Sequence, residues 1–124
     1  MDNVVIAGVS FPTLVAISPG EQEVGLMWKE WPPPVMCFPY RESAVRKFWM
    51  KNTVSPLDVL FCNGQRILAI HRGEPLSTMS FGPDEPVDLV IELPAGTAQA
   101  ENIGVGDCAT VRFSVGTAAR FVKS

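Results

Sequence analysis

The sequence predicts a mainly β fold, a mostly antiparallel sandwich or closed barrel carrying one or two short helices. Three observations predict it. Ten glycines and eleven prolines are spread along 124 residues, so turns are frequent and elements short. Short apolar runs recur between those turns from end to end. The run Val87-Asp88-Leu89-Val90-Ile91-Glu92-Leu93 alternates with period two, which sets 87, 89, 91 and 93 inward.

Taken in order, strands are expected at about 3–9 and 12–17, then 35–38, 45–51, 57–62, 65–72, 87–93 and 107–115. The first helix follows Ser18-Pro19-Gly20-Glu21. Ser18 is a natural N-cap, Pro19 suits the first helical position, and Glu21 is placed to close a capping box. That helix should run to about Trp28, with Val24 and Met27 or Trp28 facing the core. The second helix is expected from Ala95 to about Ile103, ended by Gly104. Trp31-Pro32-Pro33-Pro34 reads as a rigid connector between the first helix and the next strand, or as a polyproline ligand for another module.

Asn63-Gly64 is the clearest hairpin signal, because a type I′ turn needs positive φ at both central positions. A turn centred there sets Cys62 opposite Gln65, Leu60 opposite Ile67 and Asp58 opposite Ala69. His71 then lies on the face of Asp58, at a diagonal position.

Length and composition bound the function. At 13.5 kDa there is room for a single domain over residues 1–124 that folds without staples. An apolar fraction of 47% with 19% charged residues excludes disorder. No apolar run approaches the roughly 18 residues of a membrane helix, so no membrane partner is expected. A net charge of −3 without a basic stripe argues against a nucleic-acid partner. Cys37, Cys62 and Cys108 are far apart and no secretory leader precedes them, which points to reduced, buried thiols and a cytoplasmic protein.

Phe48-Trp49-Met50-Lys51-Asn52-Thr53, then Pro56-Leu57-Asp58, then Ile70-His71, resemble the signature of the domain of unknown function 192 family. Gly82-Pro83, the run Val90 to Thr97, and Val105-Gly106-Asp107 follow in the family's order, and Gly25-Leu26-Met27 matches its helix. The resemblance spans roughly residues 13–112. It implies a compact, jelly-roll-like β domain and carries no catalytic residues. The chain departs from the family at Pro32-Pro33-Pro34, where relatives have an acidic loop.

On a strand from Val45 to Lys51, Phe48 and Met50 share the core face while Lys47, Trp49 and Lys51 share the other. Trp49 between two lysines either packs against a neighbouring element or presents an aromatic platform for a ligand. Asn52 and Thr53 should end the strand by organising the backbone. Asp58 reads as an anchor for the Lys51–Pro56 connection, or as chemistry. His71, the only histidine, is a general base only if a carboxylate orients it, and Asp58 is the candidate. No serine or cysteine nucleophile motif, metal-ligand spacing or phosphate loop is present, so no cofactor is implied.

Three function classes follow. The leading one is a non-catalytic ligand- or partner-binding accessory protein with a groove near Trp49, its binding residues drawn from Trp49, Lys51, Asn52, Asp58 and His71. The alternative is a small hydrolase- or isomerase-like enzyme using His71 and Asp58. The third is a subunit whose apolar terminal strands form an interface. A small molecule or a protein is the expected partner, bound by a monomer or small homo-oligomer.

Overall fold

The computed structural model describes residues 1–124 as a mainly β protein of two sheets and three short helices. Chain order is β1 (Asn3–Ile6), β2 (Val9–Pro12), β3 (Leu14–Val15), α1 (Pro19–Val24), β4 (Met36–Ala44), β5 (Leu57–Asn63), β6 (Arg66–Gly73), β7 (Val87–Pro94), α2 (Thr97–Ala100), β8 (Ala109–Arg112) and α3 (Val115–Lys123). The small sheet runs β2-β1-β8 and the large one β3-β4-β7-β5-β6. Pairing is antiparallel except between β3 and β4. Neither sheet closes, so the closed-barrel expectation is corrected. No helix is long and apolar enough to cross a membrane.

Both faces of the large sheet are covered. Val4, Ile6 and Ala109 of the small sheet pack on Cys37, Leu60, Ile91 and Leu93. On the opposite face Phe38, Leu57, Val59, Phe61 and Val90 pack under Leu26 and Met50. Burying one such side chain is worth about 1.5–3 kcal/mol, so both layers matter to stability. The consequence for β7 is decisive. Leu89, Ile91 and Leu93 face the small sheet as the alternation predicts, but Val87, expected with them, packs in the opposite layer beyond a register shift of β4, and Val90 and Glu92 are buried on that other side too.

The Ser18 capping box forms as read. Ser18 Oγ accepts from the Glu21 amide, and Glu21 Oε1 accepts from the Ser18 amide. That backbone bond and the Arg120 guanidinium hold the Glu21 carboxyl down at about 2. The helix stops at Val24, not Trp28. Gly25 takes φ 49° and ψ −126°, a region only glycine enters readily, and the Phe38 ring would sit 3.4 Å from any Cβ there. Leu26 is the residue that reaches the core; Val24 and Trp28 are exposed.

Other boundaries shift for identifiable reasons. The expected strand 3–9 folds back at Ala7-Gly8, both at positive φ, into the β1–β2 hairpin. No strand forms over 45–51; only Phe48 bridges to Phe81. The second helix is a single turn, and the strand expected over 107–115 is confined to β8, with α3 following where Ser114 caps it by accepting from the Thr117 amide. Cys37 and Cys62 are buried free thiols, raised to about 12 by burial, whereas Cys108 is exposed.

The β5–β6 turn is displaced by one residue. Gly64 and Gln65, at φ 57° and 66°, are its central pair, and Asn63 faces Arg66. A bulge then separates Cys62↔Ile67 from Phe61↔Ala69. One inserted residue exchanges the faces of everything beyond it. Asp58 therefore pairs with Arg72, and His71 pairs with Val59 on the opposite face.

Candidate functional site

The register change separates two of the expected site residues. Asp58 is buried, and its Oδ2 accepts from the Gly96 and Ala98 amides at 3.0 Å each, while Oδ1 accepts from Arg72 Nε at 3.1 Å. Gly96 has no side chain to cap α2, so Asp58 supplies the cap from a neighbouring strand. It anchors the β7–α2 connection, not the Lys51–Pro56 loop. His71 instead stacks on Phe81, ring centroids 4.1 Å apart, in a side cavity of about 210 Å³. The His71–Asp58 dyad does not form.

Trp49 and Lys51 do come together. They line a cavity of about 380 Å³ between α1 with the turn after it and the Lys47–Thr53 segment. Phe38, Phe48, Tyr40 and Glu92 also line it. Trp49 is 44% exposed, and Lys51 Nζ lies 5.1 Å from its ring centroid, a cation–π arrangement that leaves the ammonium without an acidic partner. Lys47 is occupied elsewhere, donating to the Gly82 and Pro83 carbonyls and to Asp84.

Asn52 is the latch that holds this wall. It sits at φ 58° in the turn closed by Thr53 N–H on the Met50 carbonyl, and its own carbonyl accepts the Trp28 amide at 2.8 Å. Its side chain turns to Met27 Sδ. Asn52 thus joins α1's exit to the signature segment without lining the cavity.

The residue sequence reasoning missed is Glu92. It stands on β7, in the middle of the large sheet, between Met36 of β4 and Val59 of β5. Only 5% of it is exposed, and what remains lines the cavity. Burial alone pushes its carboxyl up to about 8, with no hydrogen bond or cation to offset it. Glu92 is therefore a neutral acid near pH 7, able to donate as well as accept. Tyr40 beside it is held neutral too, raised to about 12 by burial, under the Arg46 guanidinium 3.5 Å from its ring. A carboxylate on an apolar strand is the available signal, but period-two alternation sets only 87, 89, 91 and 93 inward and leaves Glu92 off that face.

As to metals, no three His, Cys, Asp or Glu side chains converge anywhere in the molecule. The cavity combines an aromatic wall, one free cation, one buried neutral acid and, at its exposed side, the Glu23 carboxylate. That set suits a small ligand with a ring or apolar body and polar ends.

The profile of domain of unknown function 192, described as an uncharacterized ACR, matches residues 3–111. This chain belongs to the domain of unknown function 192 family. Among solved structures, a Sinorhizobium meliloti 1021 protein provisionally described as a transcription regulator is 32% identical, with a TM-score of 0.79 over 89% of this chain and 91% of that one. A Novosphingobium aromaticivorans DSM 12444 protein of unknown function is 28% identical, with a TM-score of 0.80 over 87% and 83%. No curated protein matches.

For this member of the family, the F-W-M-K-N-T segment acquires a physical reading. Phe48 meets Phe38 and Phe61 edge-on at 5.1 and 5.7 Å, and Met50 is fully buried. These two pin the segment to the sheet, Asn52 and Thr53 shape its turn, and Trp49 and Lys51 are left to form the cavity wall.

Proposed function

We propose that this domain of unknown function 192 member is a small-molecule-binding protein whose site is the cavity between α1 and the Lys47–Thr53 segment. The single observation that carries the reading is Glu92, a buried carboxylic acid with no protein partner, opening onto a cavity walled by Trp49 and Lys51. Burying an ionisable group without a partner costs several kcal/mol, a cost that a purely structural position would avoid by using an apolar residue. Trp49 would stack on the ligand body, Lys51 would meet an anionic end, and neutral Glu92 would donate to an acceptor at the base.

An enzymatic reading has one observation in its favour, because a carboxyl raised to about 8 is suited to general-acid work at neutral pH. In that reading Glu92 replaces the separated His71 and Asp58. The regulator description of the Sinorhizobium relative is compatible with ligand sensing; the acidic charge balance here disfavours direct contact with DNA.

A thermal-shift screen with neutral, cationic and anionic ring-bearing metabolites tests the proposal. A ligand at 100 times its Kd stabilises the native state by about 2.7 kcal/mol. Trp49→Ala and Lys51→Gln should abolish the shift while leaving far-ultraviolet dichroism intact. A shift that survives both substitutions, or no shift from any class, refutes the site.

A further inference from the structure

A second groove lies on the other side of Tyr40 and owes nothing to the Trp49 wall. It has a volume of about 650 Å³ and shares only Pro19, Gln22 and Tyr40 with the first cavity. Arg41, Arg46, Arg120 and Lys123 all line it, against two anionic groups, the Glu42 side chain and the main-chain carboxylate of Ser124. Four of the chain's ten cations thus converge on one groove of a protein whose net charge is −3.

The guanidiniums are held in place and not used up. Arg41 Nη1 donates to a main-chain carboxylate oxygen of Ser124, the last residue, at 2.7 Å. Arg46 donates to the Glu42 and Val87 carbonyls and lies over the Tyr40 ring. Arg120 Nη2 is paired with Glu21 at 2.7 Å. Each guanidinium carries five N–H donors, and these contacts occupy one or two. Lys123 has no ion-pair partner. A cationic last turn of α3 would satisfy that helix's dipole wherever the helix lay. It does not explain why α3 sets Arg120 and Lys123 against Arg41 and Arg46, which come from β4 and the residues just after it.

We propose that this groove binds the phosphate or diphosphate group of a small molecule. Several planar forks and one ammonium match the oxygens of a phosphoryl group better than a single carboxylate, which one fork satisfies. The volume exceeds what a bare phosphate fills and falls in the range of ligand sites generally. The family match ends at residue 111, before α3, so one wall of the groove lies outside the matched segment.

The test titrates pyrophosphate, and separately adenosine diphosphate, into the full chain at constant ionic strength, followed by amide and arginine Nε resonances. Sodium sulfate at matched ionic strength is the control. Expected are saturable shifts at Arg41, Arg46 and Arg120 with a Kd below 1 mM, and at least tenfold weaker binding in Lys123→Gln and in Arg120→Gln. Lys123→Gln breaks no side-chain hydrogen bond or ion pair, and an unchanged melting temperature of the free variant separates lost binding from lost folding. Equal affinity for the two probes would assign recognition to the diphosphate itself, and tighter adenosine diphosphate to a phosphate borne on an organic body; both support the groove. Trp49→Ala should leave this binding unchanged, which separates it from the site proposed above. Sulfate reproducing the shifts, a response mapping outside the groove, or unchanged affinity in both variants would overturn it.

Discussion

Glu92→Gln removes the proton from the cavity floor while keeping its shape. In the folded chain burial raises the carboxyl to about 8, whereas unfolded it titrates near its ordinary value of 4.5. Between those values the folded state binds more protons than the unfolded one, so stability falls as pH rises. At about 1.4 kcal/mol per pH unit the loss from 4.5 to 8 reaches about 5 kcal/mol at most, less where water enters the cavity. The stability Glu92 contributes is therefore present below pH 4.5 and gone once pH has passed about 8. Glutamine cannot ionise, so the variant should match wild type near pH 4.5 and exceed it by about 2–5 kcal/mol at pH 8.5. Urea titrations at four pH values measure the difference, in which the other titrating groups cancel. Parallel stability curves for the two proteins would refute both the burial argument and the neutral acid built on it.

Three further substitutions test the frame around the site. Asp58→Asn weakens the cap on α2 and the tie to Arg72, at a cost of about 2–4 kcal/mol; the Gly96 and Ala98 amides should exchange faster, and the His71 imidazole resonances should not move. Phe38→Ala opens a cavity beneath Gly25 and beside Phe48, costing about 3–5 kcal/mol in denaturant titration. A loss under 1 kcal/mol would mean the second core layer is not packed as described. Gly25→Ala forces a Cβ into a glycine-only conformation and against the Phe38 ring, so it should lower stability by at least about 1 kcal/mol; an unchanged melting temperature would contradict that geometry.

Much of this protein is legible from neighbours in the chain. The Ser18 capping box is complete within four residues, so its sequence alone specifies it. The presence of a β5–β6 hairpin follows from Asn63-Gly64, and Trp49 and Lys51 were separable from Phe48 and Met50 by alternation even though no strand forms there. What local pattern cannot supply is which surfaces end up covered. Alternation names two faces of β7 but not that both are buried, so it cannot show that Glu92 lines a cavity. The bulge between Phe61 and Cys62 depends on how β6 meets its partner, and that one residue moved His71 across the sheet from Asp58. The arginine groove joins β4, the residues that follow it, and a helix some eighty positions later, a separation no periodicity spans. Sequence determined the Ser18 cap, the β5–β6 hairpin and most strands, because capping and turn preferences act over a few bonds; tertiary packing decided which expected elements formed and how the site residues were brought together, because burial and register are properties of pairs of distant segments.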